Sequence, residues 1–175
     1  MFGFISRAYE IFIGKTERKL KKRGVVGSDF YTGPASYDLK YSSFLKIGNN
    51  VRVSLGCRFI LQDDSVKNSL GYSKVRKVEL GDDIFIGANC IILPGTTIGS
   101  HVIIGAGTVV RGSIPDNAVV SGNPCKIVGR ADRVLALHKD ALSRMTILDK
   151  PINELSDIDR EKLVVKLDKG FAYEP

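Results

Sequence analysis

Aliphatic residues recur through the middle of the chain at a fixed spacing of six. Leu80, Ile86, Ile92, Ile98, Ile104 and Val110 stand in step. The next positions are Gly81, Gly87, Leu93, Gly99, Gly105 and Arg111, four of them glycine. Four residues after each aliphatic come Ile84, Cys90, Thr96, Val102, Thr108 and Ile114, all small or branched. The same frame runs earlier through Ala35, Tyr41, Ile47, Val53 and Phe59, with Leu39, Leu45, Val51 and Cys57 four residues after the first four. Asp29 and Asp63 are weaker members at its ends. An α-helix wants a period of 3.6 and a simple strand a period of 2, so neither alone generates a six. A short strand followed by a corner does. The branched residue points inward, and a glycine or small residue lets the backbone turn.

Three such sides close one triangular coil of about 18 residues, and coils stack strand on strand at about 4.8 Å per layer. The pattern predicts an all-β solenoid of parallel strands. Residues 29–64 supply two coils, residues 80–115 two more, and residues near Val120 to Val128 a last partial one. Residues of about 62–79 break the frame and form an inserted loop. Spacing does not fix the hand of the coil, although parallel crossovers are normally right-handed.

The flanks follow other periods. Phe4, Ala8 and Phe12, beside Ile5, Tyr9 and Ile13, line one side of an amphipathic helix within residues 1–24. Lys15, Arg18, Lys19, Lys21, Lys22 and Arg23 make its second half basic. Two readings fit: a cap on the open end of the stack, whose strand edges need covering, or a peripheral contact with an anionic membrane surface. The solenoid then occupies residues 25–130. Residues 131–175 form a helical cap, with one helix from Ala131 to Arg144 that Pro151 brings to an end and a second from Asp157 to Leu167.

Composition narrows the classes. The formal charge of +7 favours an anionic partner without choosing one. No aromatic-basic surface motif or known nucleic-acid module is present, so nucleic acid is not an expected partner. Cys57, Cys90 and Cys125 are odd in number, with no paired spacing, which fits free core thiols in a reducing cytoplasm. Two histidines in unrelated positions, His101 and His138, argue against a three-histidine zinc site, and no metal is expected. No run reaches the roughly 18 apolar residues of a membrane span, and no cleavable leader is indicated.

The segment Phe85 to Arg130 resembles the hexapeptide-repeat acyltransferases. The repeat, the turn Ile114 to Asn117 and the closing Ser121-Gly122-Asn123-Pro124 occur in order. It is most similar to the branch of sugar O-acetyltransferases and xenobiotic acetyltransferases of capsule and exopolysaccharide pathways. The resemblance implies a left-handed parallel β-helix, a cytoplasmic homotrimer with active sites between subunits, and acetyl-CoA as co-substrate. The implied acceptor is a sugar or nucleotide-linked (amino) sugar in surface polysaccharide biosynthesis. By position, Ala88 and Ala106 fall where the pantetheine arm touches the wall. Arg111 and Lys126 fall at cofactor-binding positions, Lys126 facing CoA phosphates, and Arg130 is a further candidate.

The resemblance also implies a histidine in the inserted loop, serving as general base on an acceptor hydroxyl. Here Gln62 stands in that place, followed by Asp63 and Asp64. A glutamine takes up no proton. Three explanations stay open. The acceptor is an amine, already a nucleophile; or Asp63 or Asp64 is the base, its pKa raised by burial; or the chain is a catalytically impaired or non-enzymatic trimeric binding protein.

Overall fold

The computed structural model describes residues 14–167 and 170–175. They fall into two compact units, the first ending at Ala131 and the second running from Asp132 to Pro175. Residues 14–22 are helical. The apolar side expected for the N-terminal helix, Phe4 to Ile13, lies outside the described residues.

In the first unit the chain visits three parallel sheets in rotation. The first sheet contains Leu45–Ile47, Val78–Leu80, Thr97–Ile98 and Ser113–Ile114. The second contains Tyr31–Thr32, Val51–Val53, Ile84–Ile86, Ile103–Ile104 and Ala118–Ser121. The third contains Ser36–Tyr37, Arg58–Phe59, Ile91–Ile92 and Val109–Val110. Ile86 pairs with Ile104, Ile92 with Val110 and Leu80 with Ile98, each 18 residues further on. The three-sided coil predicted by the period of six is therefore the repeating unit. All six aliphatics from Leu80 to Val110 are buried, and so are their partners four residues on.

The small members of those partner positions have a second role. Thr96 and Thr108 donate their hydroxyls to Leu93 O (2.7 Å) and Gly105 O (2.5 Å). Cys57 and Cys90 direct their thiols at Gly87 O (3.1 Å) and Gly105 O (3.2 Å). Each satisfies a carbonyl at a corner inside the stack, where an unpaired acceptor is costly.

Corners between the first and second sheets are built by polar residues. Asp29, Asn50, Asp83, His101 and Asn117 all adopt left-handed backbone, with φ between 50° and 59°. Asn and Asp tolerate that region better than other non-glycine residues. The residue before each of them caps the neighbouring layer. Asn49 N donates to Asp82 Oδ1 (2.6 Å), Asp82 N to Ser100 Oγ (3.1 Å), and Ser100 N to Asp116 Oδ1 (2.8 Å). Between the second and third sheets, Gly87 lies so close to the next coil that an added Cβ would stand 2.6 Å from Ala106 N.

The first coil departs from the predicted frame. Thr32 and Tyr37, rather than Asp29 and Ala35, fill the inward positions; Thr32 pairs with Val53 and Tyr37 with Phe59. The coil is longer than the regular 18-residue unit because Leu39–Phe44 inserts a 3₁₀ turn. Tyr37 stacks on Phe59, ring centroids 4.8 Å apart, and its hydroxyl meets Thr32 Oγ1 at 2.8 Å. Arg23, just past the N-terminal helix, donates to Leu39 O and Ser42 Oγ and ties the helix to this turn, while Leu20 is fully buried.

Three further boundaries differ. The stack resumes at Val78, which pairs with Leu45, so the inserted loop ends two residues earlier than expected. The last coil is partial as expected, but its return strand is antiparallel. Ala118–Ser121 joins the second sheet in parallel, and Lys126–Arg130 then returns antiparallel beside it. The helix from Ala131 stops at Leu142 rather than Arg144, where Ser143 Oγ bonds Asp140 O and a turn begins. Thr146–Ile147 is already extended before Pro151 and pairs with Ala172–Tyr173; Asp157–Leu167 is helical as predicted. No helix among the described residues is long and apolar enough to cross a membrane.

Ile104 sits in the middle of the ladder, fully buried, so Ile104→Ala is expected to cost about 2–5 kcal/mol through lost transfer energy and a residual cavity. Thr97→Ala, on an outward position, should stay within about 0.5 kcal/mol. Urea unfolding of the two variants measures both; equal midpoints would contradict the ladder.

Candidate functional site

The chain leaves the stack just after Leu61. Ile60 N still bonds Ile92 O in register (2.9 Å), and Arg76 N donates to Leu61 O (3.1 Å) where the chain returns. Between them Gln62–Asp63 pairs antiparallel with Lys74–Val75, and Lys67–Leu70 makes one helical turn closed by Gly71 at φ 76°. The base of this hairpin and the next two corners enclose a cavity of about 460 Å³. Ile60, Leu93 and Pro94 supply its apolar lining. Gln62, Asp63, Asp64, Lys74, Arg76 and Arg111 supply the polar lining.

Charges within the cavity are unevenly compensated. Asp63 meets Lys74 Nζ at 2.7 Å and accepts the Ser65 N–H at 2.8 Å. The Lys74 ammonium, and next the Ser65 N–H, hold its carboxyl far below the usual carboxylate range. Asp64 is also lowered, first by the Ser73 hydroxyl and then by Gln62, whose Nε2 donates to Asp64 Oδ1 at 2.6 Å. Lys67 lies 3.8 Å away. The side chains of Arg76 and Arg111 have neither hydrogen-bond nor ion-pair partners among the described residues.

These facts weigh against one of the three explanations. A carboxylate base near neutral pH needs its pKa raised by burial. Asp63 and Asp64 are partly exposed and held ionised by donors, so their lone pairs are already engaged and their basicity is reduced.

Of the predicted site residues, Gln62, Asp63, Asp64 and Arg111 come together in the cavity. Ala88 and Ala106 do not. They lie one coil apart at the corner between the second and third sheets, where Gly107 N bonds Ala88 O at 2.8 Å. Arg111 is therefore separated, within one chain, from the alanines it was grouped with as a cofactor contact. Lys126 is exposed and pairs with Ser121, and Arg130 pairs with Ala118 at the other end of the same strand. Neither histidine lines the cavity. His101 is an exposed corner residue 3.4 Å from Asp83, and His138 Nδ1 contacts Tyr173 Oη at 2.8 Å in the second unit. Sequence reasoning missed Lys74 and Arg76. Their signal was the basic run Lys74-Val75-Arg76-Lys77 immediately before the frame resumes.

Comparison with known proteins places this geometry. The description "Bacterial transferase hexapeptide (six repeats)" matches residues 77–112. A Staphylococcus aureus (strain MRSA252) protein named "Putative acetyltransferase SAR2635" is 34% identical over 167 residues, covering 77% of this chain and 84% of that one. The chain belongs to the hexapeptide-repeat acetyltransferase family. Other family members match over shorter stretches. "Putative acetyltransferase YvoF" of Bacillus subtilis is 32% identical over 91 residues, 52% of this chain and 51% of its own. "Putative lipopolysaccharide biosynthesis O-acetyl transferase WbbJ" of Escherichia coli K12 is 44% identical over 64 residues, 37% of this chain and 33% of its own. The match thus spans about half the length of the first and a third of the second. The crystal structure of the hexapeptide-repeat acetyltransferase VCA0836 from Vibrio cholerae shares the fold, with a TM-score of 0.53, 22% identity and 61% of each chain covered.

A depressed carboxyl pKa contributes stability above the ordinary value of about 3.9 and loses it as pH falls through the folded-state value. The hairpin should therefore keep its Asp63–Lys74 tie from pH 8 to pH 5 and lose it only in strong acid. Lys74→Gln removes the largest cause and should move the Asp63 titration upward. Side-chain carboxyl NMR reads both; wild-type Asp63 titrating at or above the ordinary value would refute this account.

Proposed function

We propose that the protein is an acetyl-CoA-dependent acetyltransferase, trimeric on a left-handed β-helix, whose acceptor is the amine of an amino sugar or nucleotide-linked amino sugar. The observation that carries this reading is the chemistry of the cavity. By the resemblance Gln62 falls where the family carries its loop histidine, and in the cavity both neighbouring carboxylates are engaged by donors that lower their basicity. A hydroxyl acceptor needs a group to take its proton during attack. An amine in its free-base form carries its own lone pair and needs positioning more than activation. Gln62 can position through hydrogen bonds, while Asp64, holding Gln62 Nε2, fixes the amide's orientation.

The wall between the second and third sheets suits the co-substrate. Ala88 and Ala106 carry only methyl groups, and at Gly107 nothing lies within 4 Å of where a Cβ would stand, so the backbone is open to an extended, amide-bearing arm. Lys126 is an exposed cation suited to a phosphate. Acetyl-CoA, when bound, supplies an acetyl group activated as a thioester, whose leaving thiolate can carry off the proton that the amine loses.

Trimer formation is supported by the unequal outer faces of the stack. The first sheet points Lys46, Glu79, Thr97 and Ser113 outward, all exposed. The second points out Phe85, Ile103 and Val119 in its later coils, with Phe85 48% exposed, and Tyr31 and Arg52 in its first two. An apolar sheet face of this kind suits burial against another copy. The Escherichia coli relative's name supports surface polysaccharide biosynthesis as the setting, and the free cysteines support a reducing cytoplasm.

The second reading, a trimeric binding protein without catalysis, draws on the same Gln62. Calorimetry with acetyl-CoA, alongside thiol release with neutral sugars and amino sugars, separates the two. Release with amino sugars only is expected, with kcat/KM rising with pH as the acceptor amine deprotonates. Gln62→His should add turnover of hydroxyl acceptors, by about 10²–10⁴-fold. Binding without release by the wild type on any acceptor would leave the binding-protein reading; no binding of acetyl-CoA would defeat the proposal.

A further inference from the structure

We infer that Arg76 and Arg111 form a receiver for a doubly charged phosphate or diphosphate group on the acceptor, so that the acceptor is a sugar phosphate or a nucleotide-linked sugar rather than a neutral sugar. The inference names the substrate class of the cavity proposed above and rests on that reading. Within the cavity Lys74 is compensated by Asp63 at 2.7 Å, and Asp64 is engaged by Gln62, with Lys67 nearby. Arg76 and Arg111 remain, two guanidiniums without partners among the described residues. Two unopposed positive charges beside an apolar lining of Ile60, Leu93 and Pro94 call for one doubly charged oxyanion. A phosphate monoester carries about −1.5 to −2 at neutral pH, and the planar guanidinium fork matches its oxygens.

Both arginines rise from fixed backbone. Arg76 N is held by Leu61 O at 3.1 Å. Arg111 follows buried Val110, whose carbonyl accepts from Leu93 N at 3.0 Å. They flank the Leu93-Pro94-Gly95 corner from the layers on either side, roughly 10 Å apart by layer spacing. That span lets two long side chains converge on one tetrahedral group. Gly95 keeps the path clear. It stands at φ 83°, and a Cβ there would come within 2.9 Å of Arg76 Nε. The corner is shaped around the Arg76 side chain.

Phosphates could also come from CoA itself, because Arg111 is a candidate cofactor contact as well, although Ala88 and Ala106 lie at a different corner of this chain. Calorimetry on the full-length protein distinguishes the sources. The probes are inorganic phosphate, UDP, glucosamine 6-phosphate, glucosamine and CoA, applied to wild type, Arg76→Gln, Arg111→Gln and the control Lys46→Gln. Glucosamine 6-phosphate and UDP should bind the wild type and glucosamine should bind far more weakly. Each arginine variant should weaken phosphate-bearing probes about 10-fold or more, with CoA affinity and the control unchanged. Arg→Lys variants should recover part of the loss, because charge returns without the fork. Loss of CoA affinity with sugar phosphate binding intact would overturn the inference, as would a wild type indifferent to phosphate. Arginine-dependent phosphate binding by a protein that ignores acetyl-CoA would sustain the anion site while removing the acetyl-transfer reading.

Discussion

Every coil depends on the coil beside it. A two- or three-residue strand has no hydrogen bonds of its own, so its amides and carbonyls are satisfied only by strands one layer above and below. Buried aliphatics at the same position in each coil make that stacking favourable, since they remove a continuous column of apolar surface from water. Ile86 over Ile104, Ile92 over Val110 and Leu80 over Ile98 are three such columns, one for each sheet. The period of six follows from this constraint, because a shift of one residue would turn each column outward.

Corners decide how faithfully the columns can repeat. Where the chain bends between the first and second sheets, short polar residues adopt left-handed backbone, and their neighbours cap the next layer's amides. His101 is one of these corner residues, which is why a histidine near the centre of the repeat has no access to the cavity. The threonines and cysteines inside the stack serve the same bookkeeping of buried polar groups, each donating to a corner carbonyl.

Chemistry gathers where the repeat is interrupted. The hairpin after Leu61 leaves one corner and returns to it, and the space beneath becomes a cavity. Two of its carboxylates are matched by local donors, while its two arginine side chains have no partner among the described residues. This arrangement suits an acceptor that brings its own nucleophile and its own negative charge.

The sequence by itself determined the repeating unit, its inward positions from Leu80 to Ile114, and the existence and start of the loop. These are legible because a strict spatial repeat imposes a strict spacing, and each position reports its own environment through residue type. Tertiary structure decided the rest. The first coil shifted because a 3₁₀ turn takes up extra residues and a Tyr37–Phe59 stack outweighs the frame through Ala35. The last half-coil reversed at Gly122 to Cys125, where no periodic signal exists. The cavity's charge balance depends on which ammonium meets which carboxylate across a hairpin. Spacing along the chain carries no information about that pairing, so Lys74 and Arg76 became visible only when the loop closed on Leu61.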